Sequence, residues 1–435
     1  MGAEGVHADL AKRRAAVMPD WLSTYYAEPI DIECGEGRHV WDSEGNRYLD
    51  FFGGILTTMT AHALPEVTEA VREQAGRVLH TSTLYLNRPM VELAERVAEL
   101  SGIEDPRVFF TSSGTEANDT ALLLATGYRG SNQVLALRNS YHGRSFSSLS
   151  ITGNRSWSPT SLSPLQTHYV HGTRRRVGPM AGLDDAALAD ACVSDLQDLL
   201  GQVKDDVACL IAEPIQGVGG FATPPDGLYA RFKEVLDRHG ILWISDEVQT
   251  GWGRTGEHFW GWQAHGENGA PDLVTFAKGV GNGLSVGGVI ARGEIMNSLP
   301  ASSLSTFGGS PITSAGAVAN LDHLVRNDLQ GNAHRVGAVL RGQLDWALGR
   351  LPVVADVRGK GLMIGVELVR PGTGEPSPEA ATAVLEEARR QGVLIGKGGL
   401  QGNVLRIAPP LSLTEQEARD GAAVLLDALR RAEEV

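Results

Sequence analysis

The sequence predicts an α/β protein: a large unit built on a mostly parallel central sheet, followed by a smaller α+β unit. Three observations carry this. Between about residues 90 and 290, short apolar runs of strand length alternate with stretches of helical periodicity. The 53 glycines are spread along the 435 residues, as many tight strand-to-helix turns require. From about residue 311 the texture changes to two long helical stretches leading into a hydrophobic strand pair.

The elements follow in order. Residues 1–60, with HVWDSEGNRYLDFF at 39–52, read as a strand and turn packing with the smaller unit. At 89–100, Met90, Leu93, Ala94 and Val97 share one helical face. RVFFT (107–111) has the bulky, β-branched composition of a strand. Ser112-Ser113-Gly114 makes a turn, and TEANDTALLLATGY (115–128) reads as a helix. Strands are expected at 134–137, 207–212, 241–245, 273–277 and 286–291, with a helix at 228–238. These complete a large unit at 61–310. The unit at 311–435 has helices at 314–327 and 331–350, a strand pair within 353–369 and a surface loop at 371–378. A helix at 378–391, a strand at 403–408 and a helix at 414–432 complete it.

Composition narrows the function. At 42% hydrophobic and 21% charged residues the chain is an ordinary globular protein. A net charge of −14 argues against nucleic acid as the main partner, though not against a small anionic ligand held locally. Cys34, Cys192 and Cys209 fit no disulfide or zinc spacing, which points to a reducing, cytoplasmic setting. No apolar stretch reaches the length of a membrane span, and the first residues lack a signal-peptide core.

Five stretches could carry chemistry. In TSSGTEAN (111–118) a strand meets a glycine turn and a helix start, where free N–H groups attract anions; Ser113 and Glu116 have capping-box spacing, and the same residues could form a plain cap. ISDEVQTG (244–251) puts an acidic pair at the end of an apolar strand. A carboxylate there needs a cation or donors, and in an extended segment Asp246 and Val248 face one way. It could equally cap a turn; a metal role lacks support, because the 12 histidines show no ligand spacing. YHG (141–143) offers Tyr141 at a strand end, to stack on a planar ligand or pack locally. In LVTFAKGVGNG (273–283), Lys278 closes a buried strand. Only six of the 38 basic residues are lysine, and a buried lysine loses its proton readily and attacks carbonyls. The glycines after it match neither a phosphate-loop nor a dinucleotide spacing. In NVLRIAPPL (403–411), Arg406 interrupts an apolar strand and would pair with a carboxylate, of a substrate or of the protein. An anion cradle, an aromatic stacker, an acid for a ring nitrogen and a reactive lysine are together the needs of pyridoxal phosphate.

With these residues in view, the sequence resembles the class III aminotransferases of pyridoxal-phosphate fold type I. SSGTEAND, YHG, EPIQG, SDEVQTGWGRTG, AKGVGNG and STFGG occur in family order through nearly the whole chain. RYLDFFGGI, HTSTLY, DVRGKGLMIGVEL and the RIAP of LRIAPPL are similar to the alanine–glyoxylate branch, which also uses 3-aminoisobutyrate with pyruvate. The resemblance implies a homodimer that passes an amino group from an L-alanine, β-alanine or 3-aminoisobutyrate type donor to pyruvate or glyoxylate, by a ping-pong Schiff-base exchange. It implies that Lys278 bonds the cofactor and shuttles the proton, and that Asp246 keeps the ring nitrogen protonated. Tyr141 and Val248 would cover the two ring faces, Ser113, Gly114 and Thr115 would bind the phosphate, and Gln249 would meet the ring hydroxyl with Glu213 near it. Thr306 would reach the neighbouring subunit's phosphate, Arg406 would grip the substrate carboxylate, and Tyr85, Gly54 and Ile55 would shape the pocket. Three positions depart from the family pattern: AHALP at 61–65 for GHxHP, Ser310 for Asn, and Val218 where many relatives carry a glutamate that switches an arginine off. The same fold also serves racemases, epimerases and aminomutases, and aminotransferases acting on a specialised ketone or aldehyde.

Overall fold

A computed structural model describes residues 3–173 and 180–434. Its centre is a seven-stranded sheet in the order Pro106–Thr111, Gly287–Arg292, Leu273–Phe276, Leu242–Asp246, Cys209–Ala212, Gln133–Leu137, Gln166–Val170. The last five strands are mutually parallel, and Gly287–Arg292 alone runs antiparallel to both neighbours. The fold is therefore α/β with a mostly parallel sheet.

Period-two alternation sorts the inner strands between two cores. Val134, Ala136, Cys209, Ile211, Leu242 and Ile244 pack under helix Gly114–Arg129. Leu135, Leu137, Leu210, Ala212 and Trp243 pack under helices Asp185–Leu200 and Leu228–Arg238. Burial on both faces explains why these strands read as continuous apolar runs. The edge strand Gln166–Val170 (QTHYV) is partly exposed and half polar, so its sequence carried no comparable signal. The structure adds helices Asp185–Leu200 and Pro65–Ala75, which were not among the expected elements. Because the five strands are parallel, their C-terminal ends open on one side of the sheet, and the turns after them supply Tyr141, Glu213, Val248 and Lys278.

Two smaller sheets flank this one. In the first, Ile32–Glu36, His39–Asp42 and Arg47–Asp50 form a meander, and Val393–Leu394 joins its edge in parallel. In the second, Val354–Lys360, Met363–Leu368, Val404–Ile407 and Gly396–Gly398 are antiparallel, with Arg406 opposite Gly365 and Gly396. Helix Pro311–Arg326 begins three residues earlier than its apolar pattern, with proline at its first turn, and packs on Pro65–Ala75 and Arg88–Leu100. Helix Leu329–Asp345 ends short of the expected residue 350, where turns pass through Gly349 at φ 70°.

Candidate active site

Lys278 follows strand Leu273–Phe276 at φ 48°, a left-handed backbone that costs a β-carbon-bearing residue of order 1–2 kcal/mol. Two asparagines, Asn320 buried and Asn282 partly so, hold the loop after it. Asn320 Nδ2 donates to the carbonyls of Gly279 and Val280, both at 3.0 Å, and Asn282 ties the loop to Thr60 and Ala61. The lysine lines a cavity of about 310 Å³ at the C-terminal ends of the strands. Burial pushes its amine down to about 8, against the opposing pull of Asp246.

Asp246 ends the adjacent strand and is 4% exposed. Its Oδ2 accepts from Asn118 Nδ2 (2.8 Å) and pairs with His142 Nδ1 (2.7 Å), and its Oδ1 accepts from Val248 N (3.1 Å). The chain thus turns after Asp246, and Val248 reaches the cavity through that turn, not through the strand alternation expected for an extended segment. The second acid of the pair points away. Glu247 is fully buried and accepts from Thr250 Oγ1 and from the N–H groups of Gly261 and Trp262, so it braces the following loop.

Ser113 caps helix Gly114–Arg129, its Oγ accepting from Glu116 N at 3.2 Å. The expected capping box is displaced by one residue: the Glu116 carboxylate accepts from Ser112 N instead. Ser113, Gly114 and Thr115 line the cavity. A Cβ on Gly114 would stand 3.0 and 3.1 Å from the Val248 methyls, and one on Gly143 would stand 2.7 Å from Thr115 Oγ1, so both glycines keep the floor open.

Tyr141 lines the cavity with its ring 5.5 Å from Trp157, edge to face. Its N–H donates to Glu213 Oε1 (3.0 Å), and Gly217 N donates to Glu213 Oε2 (2.8 Å). Burial pushes the Glu213 carboxyl up to about 7. Gln249 also lines the cavity, and Arg406 stands behind it, 4% exposed, with its guanidinium over the Phe52 and Phe221 rings. Arg406 Nη2 donates to Gln249 Oε1, and among the described residues its Nε has no partner; burial lowers its pKa to about 10.

The remaining expected residues stand apart from the cavity. Gly54 and Ile55 are exposed at left-handed φ of 56° and 67°, and from that turn Thr57 faces inward. Tyr85 is 69% exposed, and Thr306 lies exposed on the loop before Gly308. Asn118 and His142 are among the cavity residues that sequence reasoning gave no role. Asn118 lies inside a helical pattern and His142 inside YHG, so each read as filler.

The arrangement fits pyridoxal phosphate. A helix start with a glycine floor suits the phosphate, a buried carboxylate stands ready for a protonated ring nitrogen, and a lysine with a depressed pKa stands in the same space. Among the described residues no three His, Cys, Asp or Glu side chains converge to hold a metal ion.

Comparison with known proteins agrees. The model of the family described as aminotransferase class-III matches residues 23–429. Alanine–glyoxylate aminotransferase 2 homolog 2, mitochondrial, of Arabidopsis thaliana is 37% identical over 412 residues, covering 94% of this chain and 84% of that protein. An alanine/serine racemase of Pyrococcus horikoshii is 34% identical over 415 residues, covering 92% and 86%. The crystal structure of an amine transaminase from an uncultivated Pseudomonas species, in the PLP-bound form, superposes with a TM-score of 0.89 at 33% identity, covering 96% of this chain and 99% of that one.

Proposed function

The chain belongs to the class III aminotransferases and its cofactor is pyridoxal phosphate, and on that premise we propose that it takes the amino group of a carboxylate-bearing donor and passes it to a small 2-oxo acid. The donor is of the L-alanine, β-alanine or 3-aminoisobutyrate type, and the acceptor is pyruvate or glyoxylate. The observation that carries this reading is Arg406, a buried guanidinium that among the described residues is held by the neutral amide of Gln249 and two aromatic faces, with no carboxylate, beside the cavity that contains Lys278.

When bound, pyridoxal phosphate supplies an electron sink conjugated to the donor's amino carbon. The side chains do the rest. Lys278 supplies the amine that anchors the cofactor. Once displaced by the donor, that amine would take the proton from the carbon bearing nitrogen and return it to the carbon on the other side of that nitrogen; a pKa near 8 suits a group that must accept and give a proton. Asp246, oriented by Asn118, His142 and the Val248 N–H, is the group that would pair with a protonated ring nitrogen. Tyr141 and Val248 confine the ring between them. Arg406 fixes the carboxylate of donor and acceptor alike, which orients the labile C–H toward Lys278.

We read the working unit as a homodimer at least. The exposure of Thr306, Phe307 and Tyr85 supports this, since these residues would meet the second copy. A cytosolic placement is supported by Cys34, Cys192 and Cys209, all free.

The likeness to the Pyrococcus racemase supports a second reading, inversion at the same carbon with no acceptor. Absorbance of the purified protein separates the two. With L-alanine, β-alanine or 3-aminoisobutyrate the yellow band should bleach, and pyruvate or glyoxylate should restore it. The donor that bleaches it fastest identifies the substrate class. A band that persists while L-alanine turns into D-alanine assigns racemisation, and a protein that stays colourless with added cofactor overturns both.

A further inference from the structure

Two side chains reach Asp246 from the protein side, and no role in the reaction has yet been given to either. Asn118 is 1% exposed and sits on the first turn and a half of the helix whose start forms the phosphate cradle. Its Oδ1 accepts from Thr275 Oγ1 at 2.7 Å, which fixes the amide's orientation. Both Nδ2 hydrogens are then committed, one to the His142 carbonyl (2.7 Å) and one to Asp246 Oδ2 (2.8 Å). A single amide therefore joins the cradle, the turn that carries Tyr141, the acid, and the strand that leads to Lys278.

The His142 side chain is 0% exposed; its Nδ1 lies 2.7 Å from Asp246 Oδ2, and among the described residues its Nε2 has no partner. Three protonation states are possible. An imidazolium would leave an N–H at Nε2 without a protein acceptor at a fully buried position. A neutral ring protonated on Nε2 would do the same, and would also aim the Nδ1 lone pair at a carboxylate. A neutral ring protonated on Nδ1 donates to Asp246 and leaves only a lone pair at Nε2, the smallest cost of the three. With two donors, Oδ2 is filled, since a carboxylate oxygen accepts about two hydrogen bonds. Among the described residues Oδ1 holds only Val248 N, which leaves one acceptor position open.

We propose that Asn118 and His142 are positioning residues that saturate Asp246 Oδ2 and leave Oδ1 as the acceptor for the cofactor's ring nitrogen, with His142 neutral and protonated on Nδ1. This rests on the reading that Asp246 is the ring-nitrogen partner. Asn118 further couples the spacing between phosphate cradle and acid, so its loss loosens both ends of the cofactor.

Pyridoxamine phosphate is the suitable probe, because it carries no bond to Lys278 and its retention reads the non-covalent contacts alone. Its dissociation constant is measured on the apo forms of the wild type and of Asn118→Ala, His142→Phe, His142→Asn and Asp246→Ala. Their melting temperatures without cofactor are recorded alongside. Asp246→Ala, Asn118→Ala and His142→Phe should each weaken binding roughly 10- to 100-fold, as for hydrogen bonds to a charged group. His142→Asn, whose amide can place a donor where Nδ1 stood, should recover binding to within about threefold, while the two His142 variants melt alike. If Asp246→Ala loses the probe but His142→Phe and Asn118→Ala hold it as the wild type does, the inference fails and the reading of Asp246 survives. If Asp246→Ala also holds it, that reading itself fails. Nitrogen NMR of His142 in the wild-type holoenzyme needs no variant: a proton on Nδ1 alone is expected, and a proton on Nε2 overturns the assignment.

Discussion

Arg406 Nη2 donates to Gln249 Oε1 over 2.9 Å, and among the described residues no carboxylate shares the guanidinium. The ring centroids of Phe52 and Phe221 lie 5.1 and 4.8 Å from its central carbon, so the cation is kept by π-faces and one neutral amide. Such a cation is ready for a substrate carboxylate without first giving up an ion pair. Arg406→Ala should therefore raise KM for β-alanine and for pyruvate by roughly 10- to 100-fold, the worth of charge-assisted bonds in a buried site. An amine donor with no carboxylate should lose far less. Gln249→Glu should have a similar effect on carboxylated substrates by a different route, since the new carboxylate would occupy Arg406 itself. Steady-state kinetics with paired carboxylated and plain amines check this. Equal losses for both classes would remove Arg406 from substrate recognition.

The phosphate cradle and the ring cover meet at one contact. A Cβ on Gly114 would press on both methyls of Val248, at 3.0 and 3.1 Å, closer than ordinary packing. Gly114→Ala should weaken cofactor binding about tenfold through this crowding. Val248→Ala in the same protein should give part of that loss back, although alone it weakens binding by uncovering the ring. A double-mutant cycle on cofactor dissociation constants reads the coupling directly. Strictly additive losses would mean the two residues do not share the cofactor's space.

Lys278 gives a prediction about the apoprotein. Its folded pKa of about 8 lies below the unfolded 10.5, so between these values the unfolded chain binds more protons. Stability from this group therefore rises with pH across that window. Thermal melts of apo wild type and Lys278→Met should show the variant more stable at pH 8, with the gap closing toward pH 10.5. A constant gap would mean the amine titrates normally. The same substitution should lower amino transfer by roughly 10³-fold or more, since anchor and proton shuttle are lost together.

What could be read from the sequence, and what could not, divides along physical lines. Parallel strands buried on both faces announce themselves as apolar runs, and a charged residue that ends such a run is conspicuous; Asp246, Lys278 and Arg406 stood out in this way. Asn118 and His142 gave no such sign. Each is buried and bonded to a partner distant in the chain, 128 and 104 residues away at Asp246, so nothing local marks it. The turn after Asp246 was misread for a related reason. Alternation along a strand holds only while the ladder continues, and Asp246 Oδ1 ends it by accepting from Val248 N. Ile55 and Tyr85 were placed only by likeness to relatives; in the single chain both face outward.

Glu213 supplies the last test, because its carboxyl ties the stacking residue to the loop beside Gln249. Both oxygens accept backbone N–H groups, from Tyr141 and Gly217, yet burial holds its pKa near 7 against an ordinary 4.5. A group raised on folding contributes stability that is complete below the unfolded value and is lost as pH rises through the folded one. The apo wild type should therefore lose stability between about pH 5 and 7.5 more steeply than Glu213→Gln, which cannot titrate there. The variant starts lower at pH 5, since its amide nitrogen cannot accept from one of the two N–H groups, and the difference should narrow as pH rises. Melts of both proteins across this range, without cofactor, measure the difference and cancel titrations they share. Parallel curves would show that Glu213 is ionised throughout, and its charge would then have to be counted beside Asp246 in the field that sets the Lys278 amine.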